Sequence, residues 1–540
     1  MTPPPTADTN RDMERTDDSD QSSAAANVAP DWLAAADKLH AAGKFAEAIE
    51  HYRETVRRDP NLFEAWYGLG CALNTSGACA DAVEALRQAV ALVPSAAPAR
   101  ATLGEALFAL GHVSESNREY TLIAGDADAT LRQLAWGNIA CSAPNDPAAD
   151  NAAVLRARQR WIAAEATAVQ PLLTPPRQRS GKLRVGYLGA FFGSRNWMKG
   201  YMGVINAHDR DRFEIHLIAD RANPSAEAGY RDHDEDRIWE VTGVPNDKLA
   251  RHIADARLDV LVELNGYSYQ RRLPLLLYRA APVQLSWVGM YGTTGISALD
   301  GVIGDAIVIP PEEERFYAEP VRRVRHSYLT FDIFYGVPDA ASPPCLANGH
   351  ITFGSLVSAY KITDAVIAAW SRILLGVPGA RLLLRNRALD RDCNRAELAA
   401  RFAARGIEAE RLTLEGGAEH DAFLRTYDRI DIVLDAFPYN GGTTTVEAIW
   451  QGAPLLSFNG DRWASRTSCS ILLAAGLGEF AAADEAGFVA LAIRMGLAPG
   501  ALAGPRATQR ARIAATPAFD GAHLCRELEE IYEAAFAAKA

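Results

Sequence analysis

The sequence predicts an all-α repeat region followed by two α/β domains, each a parallel sheet wound on both faces by helices. Three observations predict it. Small and apolar residues recur at intervals of 34 positions over the first 125 residues. Downstream of a proline-rich stretch, short leucine- and β-branched-rich runs alternate with amphipathic segments, the signature of parallel sheets flanked by helices. That alternating region falls into two sets, parted by Tyr335 to Gly349 with Pro338, Pro343 and Pro344. A chain of 540 residues with 49% apolar and 23% charged residues can bury several cores, which excludes disorder as the overall state.

The repeats are read position by position. Gly43, Gly77 and Gly111 are spaced by 34. Leu39, Leu73 and Leu107 precede them by four residues, Ala48, Ala82 and Ser116 follow by five, and Tyr52, Leu86 and Tyr120 follow by nine. Pro60 and Pro94 close the first two units. Two helices per unit, small residues at their crossing and a terminal proline make three tetratricopeptide repeats over 31–125. Such a stack offers a concave face for an extended peptide; extension of the α/β region or self-association are the alternative uses. Residues 1–30 read as a disordered tail and 126–180 as a helical linker, with helical spacing at Leu131–Cys141 and Asn151–Val169 and a proline-rich end.

Strands are expected at Leu183–Leu188, Phe213–Ala219, Asp259–Leu264 and Val283–Val288 in a domain over 181–337. A second domain over 338–515 takes Ile351–Leu356, Arg381–Arg385, Arg411–Leu414, Asp431–Asp435 and Pro454–Phe458, and a last helix covers 516–540. Ligands of such sheets lie at the carboxyl ends of the strands, so the site belongs in the cleft between the domains. The segment from Asp435 to Gly452 carries the strongest signal. A strand ends, Gly441 and Gly442 permit close approach to the backbone, and Thr443, Thr444 and Thr445 open a helix whose free N–H groups and dipole suit a phosphate. Glu447, one turn on, is placed to accept from ribose hydroxyls. Lys361, in the turn after the second sheet's first strand, is a candidate to neutralise a departing diphosphate. His420 is placed to stack on or bond a base. Asn265-Gly266-Tyr267 and Gly289, Gly292 and Gly295 form tight loops at strand ends, either lining the cleft or merely turning the chain.

These blocks resemble glycosyltransferase family 41, which holds the protein O-linked N-acetylglucosamine transferases and the plant SPINDLY proteins. The match lies in the turn ending at Lys361, Asn440-Gly-Gly-Thr-Thr444, Trp450-Gln-Gly-Ala-Pro454, Ala464-Ser-Arg466, Asn265-Gly266, Ala281-Pro-Val-Gln284 and Gly292-Thr-Thr-Gly295. The resemblance implies repeats joined to a two-domain GT-B core and an inverting, metal-independent sugar transfer from a nucleoside diphosphate sugar. N-acetylglucosamine from UDP-GlcNAc to Ser or Thr of a protein is the first expectation. UDP-glucose, GDP-fucose or a glycan acceptor stay open, as does a non-catalytic scaffold with a vestigial nucleotide site. It implies Lys361 on the leaving group, Gly442, Thr443 and Thr444 on the phosphates, Glu447 on the ribose, Ser358 where some members place a phosphate-side glutamine, and Gly289 against the sugar or diphosphate. In place of the family's histidine near the reacting centre stands Arg195, which stays protonated and is a poor base. Lys199 is a second cation in that turn, expected to face the acceptor. The asparagine that grips bound chains in long-array relatives is replaced by Ala34, Gly68 and Thr102.

The net charge of −12 argues against general binding to a phosphate backbone, so nucleic acid is not an expected partner. Seven cysteines without a C-x-x-C pair argue against a disulfide framework or a structural zinc and fit a cytoplasmic protein. Neither a catalytic metal nor a cofactor is expected, the donor being a substrate. No sequence run is long enough to span a bilayer. A protein acceptor held by the repeats and a homo-oligomer are further expected partners.

Overall fold

The computed structural model describes residues 31–126, 128–167, 169–172, 181–289 and 291–539. The expected tail over 1–30 and the proline-rich end of the linker, 173–180, lie outside the described residues. The chain divides into two compact units, residues 1–103 and 104–540.

In the first unit, helices over 31–41, Phe45–Arg58, Phe63–Thr75 and Cys79–Leu92 follow the 34-residue period. The recurring glycines end the first helix of each pair in the left-handed region, φ being +73° at Gly43 and +82° at Gly77. Each stop is closed by the same backbone bond across five residues, from Lys44 N–H to Leu39 O and from Ala78 N–H to Leu73 O, both 2.9 Å. The small residues sit where helices cross: a methyl group on Gly68 would run into the Tyr52 ring, and one on Gly70 into Leu86. Gly68, expected to replace a peptide-gripping asparagine, is thus a packing position beneath Tyr52.

The second unit opens with the end of the helix Ala97–Ala109 and with Val113–Ile123, which complete the third repeat. Gly111 (φ +88°) repeats the helix stop, and Tyr120 packs over Gly104. Helices Ala129–Ser142 and Asn151–Ala166 follow, the first capped by Asp128 and the second by Asp150.

Two parallel sheets come next. The first runs β1 (Leu183–Gly189), β2 (Phe213–Ala219), β3 (Arg237–Glu240), β4 (Val260–Glu263), β5 (Val283–Trp287), β6 (Gly301–Asp305) and β7 (Val321–Val324) in sequence, and β3-β2-β1-β4-β5-β6-β7 in space. The second runs β8 (Thr352–Ser355), β9 (Arg381–Arg385), β10 (Leu412–Glu415), β11 (Ile432–Leu434), β12 (Leu455–Phe458) and β13 (Ala481–Ala482), ordered β10-β9-β8-β11-β12-β13. All nine expected strands form, several a residue or two shorter than read. Four more, β3, β6, β7 and β13, were not expected. β3 carries Arg237 and Glu240 at the sheet edge, β7 carries Arg322 and Arg323, and β13 has two residues, so these three show no apolar run of ordinary length; in β6, though fully buried, glycines flank just two apolar residues, Val302 and Ile303.

The last helix, Gly521–Ala537, packs back on the first sheet's side of the molecule. Tyr532 meets Tyr187 of β1, and Glu529 accepts from Asp209 N–H and lies 2.9 Å from His208 Nδ1. The seven cysteines are all free. Among the described residues no helix is long and apolar enough to cross a membrane.

Candidate active site

Each sheet has one place where neighbouring strands lead their connections in opposite directions, and a crevice opens there at the carboxyl ends. In the first sheet it lies between β1 and β4, in the second between β8 and β11. Most of the expected site residues lie on or just after the loops that leave these strands, while Gly289 follows β5 and His420 follows β10. β1 leads to Arg195 and Lys199, β4 to Asn265, β8 to Lys361, and β11 to the Gly441–Thr445 turn.

On the second sheet, Lys361 ends the short turn Ala359–Lys361, and its Nζ donates to Asn440 O at 2.7 Å. Its ammonium lies 4.7 Å from the Tyr439 ring centre, and Asp435 is its opposing charge. Burial dominates over Asp435 and pushes the lysine down to about 8, so it is largely but not wholly protonated at neutral pH. Asp435, which follows β11, builds the glycine turn: its Oδ1 accepts from Ala436 and Gly441 N–H and its Oδ2 from Ser457. Burial raises its carboxyl despite these bonds. The helix Thr443–Trp450 then begins with Gly442 as its N-cap, φ −138° and without a side-chain cap, so its first N–H groups are left to a ligand. Thr443 and Thr444 are half-buried at this start, and Thr443 Oγ1 donates to Asn196 O.

Two expectations are corrected here, for Thr445 and Lys199, and a third residue, Glu447, is found already paired. Thr445 is fully buried, and its hydroxyl pairs with Ser468 at 2.8 Å, so it anchors the helix to its neighbour and does not face a phosphate. Lys199 does not project toward an acceptor. It crosses the cleft to Glu447, Nζ to Oε1 2.5 Å, with side chains 1% and 3% exposed. Glu447 is therefore already engaged where a ribose was expected. Burial lowers Lys199 and raises Glu447, each opposed by its partner, so desolvation outweighs the attraction on both sides.

The remaining expected residues are placed as follows. Arg195 is exposed, with its guanidinium 5.7 Å from the Tyr335 ring centre. Tyr335 also lies over Lys199 at 4.3 Å and meets His420 edge-on at 5.0 Å. Burial, then the charges of Lys199 and Arg195, push His420 down to about 4, so it is neutral at pH 7; its Nε2 is buried with no partner among the described residues. Ser358 is exposed at the start of the Lys361 turn. Gly289 is pressed on the backbone of Asn265 and Gly266, where any side chain would collide, so its glycine is required by packing. The Gly292–Gly295 loop is structural: Arg158, fully buried, donates to Thr293 O, and Glu319 holds Thr293 Oγ1 and Thr294 N–H.

The two halves are joined beside the cleft. Arg466 and Glu313 form a two-pronged ion pair, 2.7 Å on each prong, and Tyr291 lies 4.8 Å from Tyr439, ring to ring. The site thus presents a buried cation beside an open helix N-terminus on one wall, with a cationic and aromatic cluster opposite.

The glycosyl transferase family 41 model matches residues 168–342 and 340–528, and a tetratricopeptide model matches 33–97. The chain belongs to glycosyl transferase family 41. This family 41 chain is 32% identical over 298 residues to a probable UDP-N-acetylglucosamine–peptide N-acetylglucosaminyltransferase SPINDLY of Oryza sativa, covering 55% of this chain and 32% of that protein. It is 29% identical over 357 residues to the protein of the same name from Arabidopsis thaliana, covering 65% and 39%. It thus spans about a third of the length of the curated plant relatives it matches. Among solved structures, a mutant O-GlcNAc transferase from Thermobaculum terrenum superposes with a TM-score of 0.78 at 26% identity, covering 95% of this chain and 98% of that one. The region matched by the family 41 model is accordingly a GT-B pair of Rossmann-like domains following helical repeats.

Sequence reasoning missed Tyr335, Asp435 as a builder of the turn, Asn440 as acceptor for the lysine, and Asn196. Only Asp435 carried a signal, being acidic at the end of an apolar strand. Tyr335 lies in the segment read as a plain join between domains.

Proposed function

We propose that this chain transfers N-acetylglucosamine from UDP-GlcNAc to a Ser or Thr hydroxyl of a protein, with inversion and without a metal ion. The observation that carries the reading is the convergence of Lys361 and the uncapped helix start at Gly442 on the crevice between β8 and β11. A diphosphate seated there meets a cation and free N–H groups, which is what a leaving group gaining negative charge requires. The donor and acceptor classes are supported by the printed names of the relatives, and come to this chain from them.

In the reaction the acceptor oxygen attacks the anomeric carbon from the face opposite the diphosphate. The bond from that carbon to the phosphate oxygen breaks, and its electron pair stays on the diphosphate, stabilised by protonated Lys361. The acceptor's proton leaves to a phosphate oxygen or to water, since Arg195 cannot take it. Neutral His420, with its free Nε2, is suited to receive a hydrogen bond from the base. Ribose hydroxyls reach Glu447 by sharing or displacing Lys199.

The test is thermal stabilisation by UDP and by GDP, followed by release of UDP from UDP-GlcNAc, with wild type beside Lys361→Met. Selective stabilisation by UDP, with turnover lost in the variant, supports the reading. Selection of GDP assigns a different donor. No stabilisation by either nucleotide refutes the enzyme reading and favours a scaffold.

A further inference from the structure

Lys361 depends on the three-residue turn that carries it, and that turn is held from outside the donor-binding domain. Asn145, 1% exposed, follows the linker helix Ala129–Ser142 and donates from Nδ2 to Tyr360 O at 2.6 Å. The Phe108 ring, at the end of the third repeat's first helix, stacks on Tyr360 with centres 5.1 Å apart and planes 15° from parallel. Arg401 then joins the two: Nη1 donates to Leu110 O at 2.9 Å and Nη2 to Ile362 O at 3.1 Å. Gly111 meets the backbone of Ala359 and Ile362 so closely that no side chain would fit.

Asn145 is itself tied to the repeat. Its neighbour Asp146 accepts from Ser114 Oγ at 2.5 Å and Asn117 Nδ2 at 2.8 Å, both on the repeat's second helix, and Arg462 donates to Asp146 O at 3.0 Å. The far end of the lysine's contact is fixed as well. Asn440, whose carbonyl receives Lys361, donates from its amide to Ala464 O and from Nδ2 to Ala436 O, each 2.8 Å. The lysine thus spans two rigid walls, and one of them is built by the third repeat and the linker.

We infer that Asn145 and Phe108 are positioning residues for Lys361, so that the third repeat sets the placement of the cation at the leaving group. This rests on the proposed role of Lys361. The groups facing that lysine are the Asp435 carboxylate, the Tyr439 and Tyr360 rings and Asn440 O. Loosening the turn moves the ammonium from among them toward water, and a shift of about 1 Å in a reacting group can cost roughly a hundredfold in rate.

The experiment uses the full chain and the variants Asn145→Ala and Phe108→Ala. The pH dependence of acylation by acetic anhydride is followed at Lys361 and Lys199 together by peptide mass spectrometry. In wild type Lys361 titrates near 8. In each variant its midpoint is expected to rise toward the ordinary lysine value while Lys199 stays unmoved, and UDP release from UDP-GlcNAc is expected to fall about 10- to 100-fold. An unmoved Lys361 midpoint overturns the inference. So does a joint movement of both lysines in both variants, which reports general loosening. If only Asn145→Ala moves both, Phe108→Ala decides by the same criterion. A wild type that releases no UDP, or a Lys361→Met variant as active as wild type, overturns the proposed function instead, and the labelling still decides whether the turn is held from the repeat.

Discussion

Replacing Lys199 and Glu447 separates what holds the fold from what binds the donor. At 2.5 Å their attraction at an effective dielectric of about 20 amounts to about 7 kcal/mol, against several kcal/mol of desolvation for each ion. Glu447 titrates higher in the folded chain than unfolded, so its contribution to stability is present below the unfolded value and lost as pH rises through the folded one. Lys199 titrates lower, so its contribution is present above the unfolded value and lost as pH falls through the folded one. Neutral pH lies above the unfolded value of Glu447 and below that of Lys199, so each contribution is already diminished there. Lys199→Met or Glu447→Leu alone leaves an unpaired buried charge, at about 3–5 kcal/mol. For a unit running from 104 to 540 the unfolding entropy is about 0.9 kcal/mol/K, so each single change lowers the thermal midpoint by about 3–5 °C. The double variant should melt at or above wild type, yet lose most of the stabilisation of about 2.7 kcal/mol that UDP at a hundred times its dissociation constant provides. Calorimetry of the four proteins with and without UDP reads all of this. A double variant that loses the sum of the two single losses would refute the argument.

Other outcomes follow from the same geometry. Lys361→Met should cut donor turnover by about a hundred- to a thousandfold while leaving the thermal midpoint unchanged or higher, since a buried cation is removed; initial rates and melting curves check both. Because Lys361 acts protonated and titrates near 8, kcat/KM for the donor should be flat below that pH and fall about tenfold per pH unit above it. Thr443→Val with Thr444→Val should weaken UDP binding with little change in melting. Thr445→Val should do the reverse, costing about 1 kcal/mol through its bond to Ser468, as paired titrations and melts will show. Saturating EDTA should leave UDP release unchanged, the lysine and helix start taking the place of a cation; a loss restored by added Mg²⁺ would contradict that.

Much of this was legible because local rules wrote it. The 34-residue period reflects one packing problem solved again in successive units, with Gly70 beneath Leu86 and Gly104 beneath Tyr120 at the same place in the repeat, and a glycine in the left-handed region after each first helix. The strand–helix alternation and the Gly441-Gly442-Thr443 helix start are equally local, since turn chemistry and helix ends are properties of a few consecutive residues. Strands β3, β7 and β13 escaped because edge strands are short or charged, and their apolar pattern is too brief to count.

The amino-acid sequence by itself determined the repeats, the two doubly wound domains, the family and the loops on which the candidate site residues sit. Which side chains face the crevice was decided by tertiary structure. Thr443 and Thr445 read alike along the chain, yet the helix turns one toward the crevice and the other against Ser468. Lys199 and Glu447 lie 248 residues apart, and only closure of two domains brings them to one buried bond. Asn145 gains its meaning from Tyr360, 215 residues away. Contacts of this kind leave no periodic trace, because a single hydrogen bond across a cleft constrains two residues and nothing between them.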